Sequence, residues 1–99
     1  MRQAGGAQLK VVVRLAAALR PHADGAASLD FDLPPPVTVG AVVDAVTAAH
    51  PAVGRRIRDE AGSLRRHVNV FVGSEKAAGL QAPVPEGADL TVLPAISGG

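Results

Sequence analysis

The chain has 99 residues, ten basic and nine acidic side chains, and no cysteine. That describes one near-neutral domain without a disulfide framework, a thiolate metal site or a cysteine nucleophile. A net charge of +1 and two aromatic residues, both phenylalanine, argue against nucleic-acid binding, which requires a basic excess or rings for base stacking. The apolar fraction of 47% is ordinary for a globular chain, and its richness in Ala and Val predicts a core of small side chains.

Residues 1–8 contain Gly5 and Gly6 but no apolar run of the signal-peptide kind, and read as a flexible lead-in. No stretch approaches the roughly 18 apolar residues of a membrane span. The expected location is the cytoplasm, with neither membrane nor nucleic acid as a partner. The folded domain is expected over residues 9–93.

Leu9–Leu15 alternates as a strand, with Leu9, Val11, Val13 and Leu15 on one face and Lys10, Val12 and Arg14 on the other. Ala16 to Leu19 either extends it or curls away, and Pro21, Asp24 and Gly25 mark a turn. Ser28–Leu33 alternates again, Leu29, Phe31 and Leu33 inward, Asp30 and Asp32 outward. The two strands predict an antiparallel hairpin around a short break. Pro34, Pro35 and Pro36 end the second strand, because proline cannot donate to a ladder.

Thr38 stands as an N-cap before Val39, Val42, Val43, Val46 and Ala49, which recur at helical spacing opposite Asp44 and Thr47. Pro51 stops that run. Ala52–Arg66 reads as a short helical turn and a loop anchored by Val53, Ile57 and Leu64. Val68–Val72 is a third strand closed by Gly73. Glu75–Pro85 lacks periodicity and has room for a short edge strand near Lys76–Ala78. Glu86, Gly87 and Ala88 turn into a last strand, Asp89–Leu93. Residues 94–99 form a flexible tail.

One amphipathic helix needs a sheet to cover, and the strongly apolar first and last strands belong side by side and parallel at its centre. The pattern predicts an α+β, ubiquitin-like β-grasp roll. Its mixed sheet has four or five strands, with one main helix packed across it.

The candidate reactive site is the tail. Gly98 and Gly99 lack Cβ atoms and Ser97 is small, so an extended end can thread a channel too narrow for ordinary side chains, with Ile96 behind it. A terminal carboxylate becomes an electrophile once ATP adenylates it. A sulfur nucleophile can then convert it to a thiocarboxylate on Gly99, with no cysteine in the carrier. No local metal-ligand spacing joins His22, His50 and His67; His50, beside Pro51, reads as a capping residue for carbonyls. Asp30, Asp32, Asp59, Glu60 and Asp89 fall in no segment that reads as a catalytic pocket. Arg55, Arg56, Arg58, Arg65 and Arg66 form a basic segment, and Arg65, Arg66 and His67 are the candidate partner surface.

The ending Gly87-Ala-Asp-Leu-Thr-Val-Leu-Pro-Ala-Ile-Ser-Gly-Gly99 resembles that of the MoaD/ThiS family of sulfur carriers in molybdopterin and thiamine biosynthesis. Val37-Thr-Val-Gly40, His50-Pro51 and Val68-Asn-Val-Phe-Val-Gly73 extend the resemblance from Leu9 onward. Leu19-Arg-Pro-His22 and Arg66-His-Val-Asn-Val-Phe-Val72 look like the actinobacterial members that supply sulfur for cysteine synthesis. The chain departs from the family pattern at Gly73, where asparagine is common, and by the extra Ala88 between Gly87 and Asp89.

The resemblance implies a carrier and co-substrate rather than an enzyme. A ubiquitin-activating-like enzyme would adenylate Gly99, a sulfur donor would load it, and a biosynthetic enzyme would accept the sulfur. In the cysteine branch the acceptor is pyridoxal-phosphate dependent and a metalloprotease later frees the carrier. ATP, metal and pyridoxal phosphate belong to those partners, and this chain is expected to bind no cofactor itself. Alternative readings are the small subunit of molybdopterin synthase, a protein modifier joined to lysines, and an inert ubiquitin-like interaction module.

Overall fold

The structure, a computed structural model, describes residues 8–94. In β1 (Leu9–Leu15) the alternation seen in sequence becomes two faces: Val11, Val13 and Leu15 are buried, whereas Lys10 and Arg14 are exposed. Strand β2 (Ser28–Leu33) pairs antiparallel with it, Leu9 opposite Leu33 and Arg14 opposite Ser28. On its other side β1 runs parallel to β5 (Asp89–Pro94), from Val12 opposite Asp89 to Leu15 opposite Val92. Strand β3 (Val68–Val72) is antiparallel to β5, and the two-residue β4 (Glu75–Lys76) pairs with β3. The order β2-β1-β5-β3-β4 is a mixed five-stranded sheet with β1 and β5 at its centre. This is the β-grasp topology expected from the pattern.

Helix α1 (Val39–Ala49) lays Val39, Val42, Val43 and Val46 on the sheet, each fully buried. Valine lowers intrinsic helix propensity, so this helix depends on burial, worth roughly 1.5–3 kcal/mol for each large apolar side chain taken from water. Ala49, assigned to the apolar face by spacing, is exposed, because the helix ends there and its last turn overhangs the core. The first N–H groups of an α-helix have no partner within it. Here Val39 and Gly40 donate to the carbonyls of Ala82 and Leu80 at 2.9 and 2.8 Å. Ala41 donates to Thr38 Oγ1 at 3.2 Å and Val42 to the Thr38 carbonyl at 3.1 Å. The segment that lacks periodicity, Glu75–Pro85, therefore serves α1 through the backbone of Leu80 and Ala82. A Cβ on Gly40 would lie 3.2 Å from the Leu80 carbonyl oxygen, a tight approach.

Pro51 does more than stop α1. It stands at the first position of α2 (Pro51–Ile57), where a missing N–H costs nothing. The segment expected to hold a helical turn thus contains a seven-residue second helix, with Val53, Gly54 and Ile57 buried. After it, Arg58 bridges to Leu64, and Asp59 Oδ1 accepts from the N–H groups of Ala61 and Ser63 at 2.9 and 3.0 Å. Helix α2 approaches α1 through Gly54, where a Cβ would fall 2.7 Å from both Cβ and Cγ2 of Thr47.

The break between β1 and β2 is not a plain turn. Residues Ala17–Ala23 form a 3₁₀ helix that buries Leu19 and Ala23, and the chain reverses through Asp24 and Gly25 at positive φ. Of the two options for Ala16–Leu19, the chain curls away, closing one end of the core. The edge strand is Glu75–Lys76, just ahead of the place expected. The last strand reaches Pro94, opposite Val68, one residue past the expected boundary. The core is mostly valine, and among the described residues no polar or charged side chain is buried.

Gly54→Ala decides between two effects of opposite sign. Propensity favours alanine in a helix by up to about 1 kcal/mol, but the overlap with Thr47 forces the helices apart. Net destabilisation of roughly 1–3 kcal/mol is expected, lowering the melting temperature by about 4–8 °C for each kcal/mol. A thermal melt followed by circular dichroism checks this; an unchanged or raised midpoint would contradict the close approach.

Candidate functional site

The tail leaves the fold at the end of β5. Ile96, Ser97, Gly98 and Gly99, the candidate reactive residues, lie outside the described residues, as does the lead-in up to residue 7. What the structure places is the ground from which the tail departs. Parallel pairing to β1 sets Pro94 beyond Leu15 and Ala16, and the Ala16 N–H donates to the Val92 carbonyl at 3.2 Å.

Beside Pro94 opens a cleft of about 730 Å³. Ala18, Leu19, Ala52 and Val68 contribute apolar lining; Arg55, Arg56 and Arg65 make it basic, with His22 and His67 beside them, and among the described residues no carboxylate lines it. Four separate pieces of chain meet here: the 3₁₀ helix, α2, the loop before β3, and the end of β5. The meeting is held from within. Arg65 Nε donates to the Arg55 carbonyl at 2.8 Å, and the Arg65 N–H donates to the Ile57 carbonyl at 2.9 Å. Arg65 so ties the loop to the end of α2 and extends along the cleft wall.

Of the candidate partner surface, Arg65 and His67 line this cleft; Arg66 is exposed but does not. Arg58 is engaged elsewhere, 2.8 Å from Asp44 Oδ1 on α1. Arg14 pairs with Asp89 at 2.8 Å across the central strands, with both side chains in solvent, where such a pair adds little stability. Among the described residues, no carboxylate lies within ion-pair distance of Arg55, Arg56, Arg65 or Arg66. His22 and His67, far apart in sequence, share the cleft, a convergence that single-sequence spacing could not register. His50 caps with its backbone rather than its side chain: its N–H donates to Val46, and its carbonyl accepts from Val53 and Gly54.

Asp30 and Asp32 are exposed on β2, while Asp59 serves its turn and Asp89 its arginine. Among the described residues, no group of three or more His, Cys, Asp or Glu side chains could share a metal ion. None of the described helices is long and apolar enough to cross a membrane. The sheet face away from the helices carries Val12, Phe71 and Thr91, half-buried, and Leu93 at 39% exposure.

Topology and the diglycine ending together define a small ubiquitin-like protein. Comparison with known proteins narrows that class. The chain is 32% identical over 96 residues to the sulfur carrier protein CysO of Mycobacterium tuberculosis, covering 92% of this chain and all of that one. It is 36% identical over 75 residues to small archaeal modifier protein 1 of Haloferax volcanii, covering 76% of this chain and 85% of that one. The crystal structure of that modifier superposes with a TM-score of 0.80 at 32% identity, over 89% of this chain and 99% of the other. CysO in the Amycolatopsis orientalis BexX/CysO complex superposes with a TM-score of 0.75 at 35% identity, over 90% and 99%. No family model matches the chain. The chain belongs to the MoaD/ThiS family of ubiquitin-like sulfur carriers, with CysO among its relatives. These relatives are small carriers and modifiers, not enzymes.

If Arg65 ties the loop to α2 as described, Arg65→Ala removes a bond worth about 0.5–1.5 kcal/mol. Arg55→Ala retains the accepting carbonyl and is expected within about 0.5 kcal/mol of the parent. Urea denaturation of the two variants checks the difference; equal stabilities would exclude the tie.

Proposed function

We propose that the chain is a sulfur carrier that works through the carboxylate of Gly99. The observation that carries this reading is the identity to CysO along that protein's entire length. The narrow Ser97-Gly-Gly99 ending supports it.

The cycle requires only the main-chain carboxyl group. A carboxylate oxygen of Gly99 attacks the α-phosphorus of ATP in an adenylating enzyme; pyrophosphate leaves and an acyl-adenylate forms. Hydrosulfide from a sulfur donor then attacks the carbonyl carbon, the acyl–oxygen bond breaks, and AMP leaves. The remaining proton goes to solvent. The thiocarboxylate on Gly99 passes its sulfur to a biosynthetic enzyme, with cysteine or another sulfur-containing metabolite as the product. A pyridoxal-phosphate enzyme and a releasing metalloprotease complete the cysteine version. ATP, metal and pyridoxal phosphate are bound by those partners.

The β-grasp domain holds the tail and supplies the binding surface. Ordering glycines costs conformational entropy, so contacts remote from the reacting end must offset it. The identity to small archaeal modifier protein 1 favours one second reading, in which the activated Gly99 is joined to lysines.

Intact mass spectrometry after incubation with ATP, the adenylating enzyme from the same cell and sulfide should show the oxygen-to-sulfur mass difference, located at Gly99. Deletion of Gly99, or Gly98→Phe, should lose at least 95% of loading, on the order of the large losses caused by misplacing a reacting group. Melting temperatures should stay unchanged. Full loading of either variant would refute the mechanism, and mass transfer to lysines without thiocarboxylate would favour the modifier.

A further inference from the structure

We propose that the basic cleft at the root of the tail docks an acidic segment of the enzyme that receives Gly99, aligning the tail with that enzyme's channel. This rests on Gly99 being the reacting end. Five residues follow Pro94, so Gly99 can lie no farther than about 17 Å from it. An enzyme whose reactive centre meets Gly99 must therefore bring its channel mouth close to Pro94. Pro94 is itself a wall of the cleft. Whatever surrounds the channel mouth faces Arg55, Arg56, Arg65, His22 and His67.

The chemistry of that facing surface follows from charge. Three arginines converge, and among the described residues no carboxylate lines the cleft and none pairs with Arg55 or Arg56. Like charges gathered on one surface repel one another, and an acidic counterpart relieves them while steering encounter and fixing orientation. A protein segment fits better than a small phosphate. The cleft is open, and its arginines are exposed at its rim, rather than buried donors built round one anion. The apolar lining from Ala18, Leu19, Ala52 and Val68 adds a floor that a peptide backbone and its side-chain stems can cover.

The test is steady-state kinetics of thiocarboxylate formation by the adenylating enzyme from the same cell, with this chain as the varied substrate. Arg55→Glu/Arg56→Glu should raise KM about tenfold or more at low salt, with kcat within about twofold. The gap should narrow as salt rises, because screening weakens the parent's attraction. Lys10→Glu/Lys76→Glu reverses the same number of charges at exposed positions outside the cleft lining and should leave KM within about twofold. Circular dichroism checks that each variant is folded.

An unchanged KM for the arginine variant while the parent is loaded overturns the docking site alone. An equal rise from Lys10→Glu/Lys76→Glu reduces the effect to net charge and overturns it as well. Inorganic phosphate that binds the cleft tightly, followed by NMR shifts of Arg55, Arg56 and His67, would favour a small-anion site instead. No loading of the parent would remove the carrier reading, and the docking site with it.

Discussion

The parallel pairing of β1 with β5 is the constraint on which the other features depend. It places the two strands with the most buried residues at the centre of the sheet, so their inner faces can be covered by α1 and α2. Parallel neighbours require a connection that leaves the sheet and returns, and the intervening chain supplies both helices and both remaining strands on that side. The same register determines where β5 ends. Because Leu15 lies opposite Val92, the last strand runs out beside the 3₁₀ helix and α2, and the tail starts at the mouth of the cleft.

Much of this was legible in the chain itself. Strands β1, β2 and β5 alternate cleanly, and Thr38 before the valine series marks α1 because a side-chain acceptor precedes a helical repeat. Four features were less legible, for separate physical reasons. Helix α2 has only seven residues, too few for periodicity to distinguish it from a turn, and Pro51 signals an end as readily as a beginning. Residues 75–85 carry no repeat because their service to α1 is made by carbonyl groups common to every residue. The 3₁₀ helix buries Leu19 and Ala23 at a spacing too short to establish a pattern. Ala49 follows the helical repeat but lies beyond the sheet it was expected to meet.

The candidate site divides along the same line. The diglycine ending is read directly from the sequence, and the chemistry proposed for it requires no side chain. The cleft is different: Arg65 and His67 were legible as part of a basic segment, but their company is not. His22 comes from the β1–β2 connection and Arg55 and Arg56 from α2. Only the tertiary fold brings them to Pro94. Sequence reveals the charge carried by each segment; the fold determines which charges become neighbours.

The two borders of the sheet also shape how copies of the molecule meet. A strand with unpaired backbone groups is a template on which a second sheet can grow. At one border β2 presents Asp30 and Asp32, both exposed, and at the other β4 is only two residues long. Merging two copies through β2 would bring rows of aspartates together, while β4 offers too short a ladder to hold one. Crowding many copies together thus gives no easy start to the growth of ordered fibrils from these borders.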